Sequence, residues 1–295
     1  MSLSVSLIKL GNKIFKPVVH PFNLANDGSK SYAEWQYEKG ADTIKCYEGK
    51  YKPYMMFEGK EVLDIGCGAA GKTLYYLKQG AERAVGVDIV ESYEKEALKL
   101  AAKLGCTQNF NFVCASADNL PYPDNSFDTI IMNDAMEHVE HPDKVLDELL
   151  RIVRPDGHVY INFPPYGHPF GAHMSDAINT PWIQYLYPEK ACIEAYKELV
   201  ADKPDAKERI NLRISCDVTG KEYISYINHM TIARFGKLLR DRNLKPQYYL
   251  EMPLRDWMKP LTKIPHVKEA FVRMVVCVLT KPEPEEKEKD DKKQK

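Results

Sequence analysis

Apolar positions along this chain keep two alternating rhythms between residues 58 and 163. EVLDIG (61–66), RAVGVDI (83–89), FNFVCAS (110–116), FDTIIMND (127–134) and GHVYINFP (157–164) are short apolar runs of strand length. Between them lie GKTLYYLKQG (71–80), YEKEALKLAAKLG (93–105) and PDKVLDELLRIV (142–153), which have helical spacing. Gly80 and Gly105 stop two of these helices, and Pro142 sits in the first turn of the third. Strand–helix–strand alternation predicts right-handed crossovers and a parallel sheet covered on both faces, an α/β doubly wound fold.

The rhythm breaks over 166–230, a stretch rich in Tyr, Pro and His. It resumes with a helix at TIARFGKLLRDRNL (231–244) and strands at QYYLE (247–251) and VRMVVCVLT (272–280). The break therefore reads as an insertion in the sheet, of the kind that forms a lid or substrate pocket. At the N-terminus Leu3, Leu7, Leu10 and Ile14 have helical spacing and predict a helix packed on the domain. Lys9, Lys13 and Lys16, with no acid before Asp27, also suit weak contact with a membrane surface. The last fifteen residues carry equal numbers of acids and bases and nothing apolar, so a disordered tail is expected.

Composition narrows the class. Of 295 residues 44% are hydrophobic, enough for a real core. Lys plus Arg is 41 against 42 for Asp plus Glu, which argues against a broad nucleic-acid footprint. Seven cysteines include no CxxC pair, which speaks against a disulfide framework or zinc ribbon and for a reducing, cytoplasmic setting. No apolar run is long enough for a transmembrane segment.

The decisive stretch is VLDIGCGAAGKT (62–73), a strand running into Gly66, Gly68 and Gly71 and then a helix. Glycines there let the backbone turn tightly and approach a ligand, although the pattern alone would serve any adenosine ligand, including a nicotinamide dinucleotide. Three acids sharpen it. Asp64, two residues before the first glycine, would repel a pyrophosphate but tolerate an ammonium-bearing sulfonium. Asp88 ends the second strand, where a carboxylate can accept from both ribose hydroxyls. Asp118, after the third strand, can accept from the adenine amine.

VLDIGCGAAG, VGVDI, SADNLPYPDNSFDTIIMNDAMEHVEHP and RIVRPDGHVYINFP, in this order, resemble the successive motifs of class I S-adenosylmethionine-dependent methyltransferases. The likeness is to the small-molecule branch that includes the ubiquinone and menaquinone methyltransferases. It is strong over 58–164 and weak over 231–280. It implies a seven-stranded, mostly parallel Rossmann-like sheet with an antiparallel final strand. It also implies S-adenosylmethionine as cofactor and S-adenosylhomocysteine as product. Gly66, Cys67, Gly68 and Gly71 would line the methionine part, Asp64 would help hold its ammonium group, and Asn133 would face that end. Asp88 would bind the ribose, with Ile89, Ala117 and Asp118 at the adenine. The chain then divides into an N-terminal helical cap (1–57), a cofactor-binding core (58–165), a substrate or lid insertion (166–230), a C-terminal completion of the sheet (231–280) and the charged tail (281–295).

Methyl transfer from a sulfonium needs alignment, and for some acceptors a base. Candidates follow strand four, where Asp134, Glu137, His138 and His141 cluster, and strand five, where His168, His173 and Asp176 lie in a Gly- and Pro-bearing loop. Asp134, His138, His168 and His173 are the expected catalytic set; His229 is a weaker candidate. The His168, His173 and Asp176 spacing matches no strong metal motif, so no metal is expected. Tyr166, Phe170, Trp182, Tyr185, Tyr187, Tyr223 and Tyr226, with Tyr32, Trp35 and Tyr37, could enclose an apolar or aromatic acceptor or simply pack a lid. Asn162–Tyr166 partly resembles the amino-methyltransferase signature of nucleic-acid enzymes, but a Phe intervenes and the stretch follows the wrong strand. The expectation is methyl transfer to an O, N or C nucleophile of a small molecule by a monomer or homodimer, without nucleic acid. A nicotinamide-dependent oxidoreductase and a non-catalytic methyltransferase-like binding protein are the rival readings.

Overall fold

A computed structural model describes residues 2–19, 23, 30–265 and 267–281. The charged tail beyond Lys281 lies outside the described residues. Five parallel strands carry the core: β1 (Glu61–Ile65), β2 (Arg83–Asp88), β3 (Phe110–Cys114), β4 (Phe127–Asn133) and β5 (Val153–Phe163). A two-stranded ribbon, β6 (Ile214–Cys216) with β7 (Glu222–Ile224), stands apart, and β8 (Tyr248–Pro253) and β9 (Val272–Thr280) close the main sheet. Its order is β3-β2-β1-β4-β5-β9-β8, with β9 antiparallel to both neighbours. The strand order reverses beside β1, so the crevice between β1 and β4 opens at the carboxyl ends of the strands. Leu63 lies in register with Val85 on one side and Ile130 on the other, which fixes the level at which the loops emerge.

Helices come in chain order as α1 (Leu3–Ile14), α2 (Tyr32–Glu38), α3 (Gly40–Ile44), α4 (Pro53–Phe57), α5 (Gly71–Lys78), α6 (Tyr93–Leu104) and α7 (Pro142–Ile152). They continue as α8 (Ile183–Leu186), α9 (Glu189–Val200), α10 (Ala206–Arg213) and α11 (Ile232–Asp241). On α7 the apolar stripe Val145, Leu146, Leu149 and Ile152 is fully buried, as its spacing requires. It packs with α11 residues Phe235 and Leu239 on one face of the sheet, while Tyr47, Tyr51, Met56, Phe57 and Tyr76 cover the other.

Two expectations are corrected. Strand five starts at Val153 rather than 157, because Arg154 pairs with Asp128 at 2.7 Å and Glu61 at 3.1 Å and keeps the polar stretch extended. Helix α1 forms and packs, but through Val5, Ile8 and Gly11, while Leu3, Leu7, Leu10 and Ile14 face outward. Gly11 decides this: a Cβ there would lie 2.0 Å from Thr180 Oγ1, so the helix docks on the one face where its backbone can come close.

The inserted stretch holds α8, α9, α10 and the ribbon around a core of its own. Ile178, Ile183, Ile193, Tyr196 and Ile227 meet Val5 and Ile8 of α1 there. Beneath it, Asp176 accepts from Arg209 at 2.9 Å and from Tyr196 at 2.8 Å, and pairs with Arg213 at 3.3 Å. Asp176 is therefore a structural counter-ion and does not converge with His168.

Candidate active site

The loop after β1 is shaped by its glycines. Gly66 and Gly68 have φ of +67° and +56°, where an L side chain is strained. A Cβ on Gly66 would stand 2.6 Å from the Ala135 Cβ, and one on Gly68 would stand 3.0 Å from the Tyr32 ring. The hydroxyl end of Tyr32 is held there by α2, which starts in a full capping box between Ser31 and Glu34. Gln36 on the same helix braces the loop from both sides. Its Nε2 donates to Cys67 O at 3.0 Å, and its Oε1 accepts from Gly71 N at 3.2 Å. Nothing in the spacing of 30–40 singled out Gln36; only the tertiary contact reveals it.

A crevice of about 910 Å³ opens above this loop, within the size range of small-molecule sites. Gly66, Gly68, Asp88, Ile89, Ala117 and Asp118 line it. Asp134, Ala135, His138 and His141 line it as well, with Tyr223, Tyr226 and His229 from the insertion. A shallower hollow of about 460 Å³ lies against α11 and edge strand β8, remote from the glycine loop.

Asp88 is tied down before any ligand arrives. Its Oδ2 accepts from Gly68 N at 2.8 Å and its Oδ1 from Val90 N at 3.0 Å. Burial pushes its carboxyl above the usual range, against those two amides. Asp118 accepts from the Ser116 hydroxyl at 2.6 Å. Asp64 lies below the loop and accepts from Thr73 Oγ1 at 2.6 Å. Its burial raises the carboxyl to about 7, opposed by the Thr73 bond.

Four expected site residues take other places. Asp64 does not line the crevice. Cys67 turns its thiol inward against Gly86, so only its backbone belongs to the loop. Gly71 exists for packing, since a Cβ would meet Ala33 O at 2.0 Å. Asn133 sits in a buried polar network below the crevice, accepting from Tyr47 at 2.8 Å and from Asn162, and donating to Tyr76 at 3.3 Å.

The histidines separate as well. His138 Nδ1 lies 2.8 Å from Tyr226 O, and burial lowers its pKa to about 4. His173, with φ +52°, packs edge-on against it at 4.8 Å between centroids. His168 instead accepts from Phe170 N at 3.1 Å, closing a turn of the loop, and is lowered to about 4 by burial. Both His168 and His173 are absent from the crevice wall. Asp134, at φ +51°, faces the crevice with Lys72 at 3.4 Å.

Known proteins share parts of this sequence and this fold. Residues 63–161 match the family model described as a methyltransferase domain. The chain is 31% identical over 153 residues to norajmaline N-methyltransferase of Rauvolfia serpentina, covering 52% of this chain and 51% of that protein. It is 33% identical over 121 residues to the ubiquinone/menaquinone biosynthesis C-methyltransferase of Pseudomonas fluorescens, covering 40% of this chain and 46% of that protein. The chain thus spans about half the length of these relatives. The PH0226 protein of Pyrococcus horikoshii shares the fold at TM-score 0.51 and 17% identity, over 83% of this chain and 90% of that one. Residues 63–161 match the methyltransferase domain family and hold most of β1 to β5 in a seven-stranded, mostly parallel sheet with the Rossmann-like methyltransferase fold.

Proposed function

We propose that this chain moves a methyl group from S-adenosylmethionine to an O, N or C nucleophile of a small, partly apolar molecule. One observation carries the reading: a single crevice is lined by Gly66 and Gly68 of the glycine loop, by Asp88 and Asp118, and by Tyr223, Tyr226 and Ile227 of the insertion. The bound cofactor would supply an activated methyl on a sulfonium, ready for in-line displacement. The chain's own part is positioning. Asp88 would hold the ribose hydroxyls, and Ala117 and Asp118 the adenine. Asp64, beneath the loop, would act on the ammonium group through the loop or a water.

At the acceptor end Leu212, Tyr223, Tyr226 and Ile227 supply apolar and aromatic walls. His138 is a weak proton acceptor there, because burial has already lowered it to about 4, but its ring can orient a donor on the acceptor. Asp134 also lies on the crevice wall, where its carboxylate can orient a donor on the acceptor. The outward stripe of Leu3, Leu7, Leu10 and Ile14 beside Lys13 and Lys16 supports weak contact with a lipid surface, from which an apolar acceptor could be drawn.

Calorimetric titration with S-adenosylhomocysteine and with NAD tests the cofactor reading. Saturable binding of the first alone is expected; binding of NAD alone would replace the methyltransferase with an oxidoreductase. Incubation with methyl-labelled cofactor and fractionated metabolites then tests turnover, and a chain that binds cofactor yet labels nothing would be a binding protein.

A further inference from the structure

Glu137 is 3% exposed, and neither of its carboxylate oxygens has a hydrogen-bond partner. A buried carboxyl left this way bears its desolvation cost without compensation, so such a group marks a partner to be sought. Two imidazoles face it. His138 Nε2 is 3.7 Å from Glu137 Oε1, and His173 Nε2 is 4.0 Å from the same oxygen. The three ligating atoms lie within 4.8 Å of one another. Both separations to Oε1 exceed a hydrogen bond. They also exceed the roughly 3.3 Å edge of a zinc tetrahedron by less than about 1 Å, a gap small side-chain rotations close.

The surroundings suit a cation. His138 Nδ1 faces Tyr226 O at 2.8 Å, which fixes the proton on Nδ1 and turns the lone pair of Nε2 toward Glu137. That arrangement, a backbone carbonyl behind a ligating imidazole, is how proteins set the tautomer of a metal-binding histidine. Two cations stand near: Arg213 bonds to His173 O at 3.1 Å and is met by Asp176 at 3.3 Å, and Lys72 is met by Asp134 at 3.4 Å. Asp134, three residues from Glu137, adds negative charge at the crevice wall.

We propose that Glu137, His138 and His173 form a binding site for one divalent transition-metal ion of the zinc class. Two imidazole nitrogens and one carboxylate oxygen favour such ions over magnesium and calcium, which prefer oxygen-only sets. Three protein ligands leave at least one position open, and of the three His138 lies on the crevice wall. An oxygen or nitrogen of the acceptor could occupy it; that last clause rests on the methyltransferase reading, whereas metal binding itself does not. The sequence reading weighed a metal on His168, His173 and Asp176 and expected none; the present proposal concerns a different set around His173.

The test is titration of the metal-stripped full chain with Co²⁺, read by visible absorption and by metal analysis after desalting. Cys114 and Cys216, the exposed thiols, are changed to Ser so that they do not compete. One Co²⁺ per chain is expected, displaced by Zn²⁺ and not by Mg²⁺, with affinity at least tenfold weaker in both Glu137→Gln and His173→Asn. Circular dichroism melts establish that each variant is folded, and His173→Asn on its loop serves if Glu137→Gln is not. Failure of Co²⁺ to bind, or binding unchanged in a folded variant, overturns the site. Titration with S-adenosylhomocysteine on the same samples reports separately on the cofactor reading.

Discussion

The amide of Gly68 donates to Oδ2 of Asp88 at 2.8 Å, joining the loop after β1 to the end of β2. The carboxylate thus has two tasks, holding the loop and offering its remaining lone pairs to a ribose. Asp88→Ala removes both. It should weaken binding of S-adenosylhomocysteine by about 1.5–3 kcal/mol, or roughly ten- to 150-fold, in isothermal titration. Asp88→Asn, which keeps the shape and loses the charge, should fall between. An unchanged dissociation constant in the alanine variant would remove the ribose assignment.

Asp64 gives the site a pH dependence. Burial has raised its carboxyl to about 7, and a ligand ammonium group nearby favours the ionised form. Binding should therefore release a proton, and affinity for S-adenosylhomocysteine should rise as pH increases through 7. The slope approaches about tenfold per pH unit on the acid side and levels above it. The ligand-free chain behaves oppositely: a raised carboxyl contributes stability that is complete below the unfolded pKa of about 4 and lost as pH rises through 7. Ligand-induced stabilisation should grow across that same window. Titrations in two buffers of different ionisation enthalpy measure the proton release directly, and Asp64→Asn should abolish it.

Gly71 offers a prediction that separates packing from ligand contact. A Cβ there would meet Ala33 O at 2.0 Å, Tyr37 N at 2.6 Å and Gln36 Cβ at 2.7 Å, mostly rigid backbone of α2. Gly71→Ala must push α2 away from α5 and take Gln36 and Tyr32 with it. A loss of about 1–3 kcal/mol in chemical denaturation is expected. Cofactor affinity should fall as well, although residue 71 is off the crevice wall. Intact affinity in a destabilised protein would show that the Gln36 brace is dispensable.

The central strands β1, β2, β4 and β5 were legible because they are buried on both faces over most of their length. Leu63, Val85, Ile130 and Ile161 read as apolar runs with no polar alternation to confuse the period. Asp88, Ala117 and Asp118 were legible for a related reason, since a parallel sheet delivers its loop residues to one edge. Burial partners were not. The stripe of Leu3, Leu7, Leu10 and Ile14 pointed to one face of α1, but Gly11 against Thr180 selected the other. Periodicity scores side chains and is blind to how closely a backbone can approach. Asn133 and Glu137 sit on either side of one strand-end turn. Their fates, a satisfied network and a bare carboxylate, depend on Tyr47 and His173, far away in sequence.

Asp176 carries the last prediction. Its carboxylate is fully buried between Arg209 and Arg213, each 1% exposed, and also accepts from Tyr196. Removing one partner of a buried pair leaves charge that neither water nor protein compensates, at a cost of about 3–5 kcal/mol. Asp205, which also pairs with Arg209 at 2.9 Å, offsets part of this for that arginine, while Arg213 keeps the carbonyls of Arg209 and His173 as acceptors. Asp176→Asn, isosteric and neutral, should therefore reach the lower half of that range in urea denaturation. The half-buried pair Asp128–Arg154 gives the comparison, because Asp128→Asn keeps an acceptor for the Glu61 amide and should cost no more than about 1 kcal/mol. Since Asp176 anchors a core separate from the main sheet, its loss should loosen 166–230 first. Hydrogen exchange should quicken in α9 and α10 while β1, β4 and β5 keep their protection, and uniform quickening across the sheet would refute an independent insertion core. Because Arg213 also bonds to His173 O, the same variant should displace His173 from Glu137, linking the stability of the insertion to the geometry of the acceptor chamber.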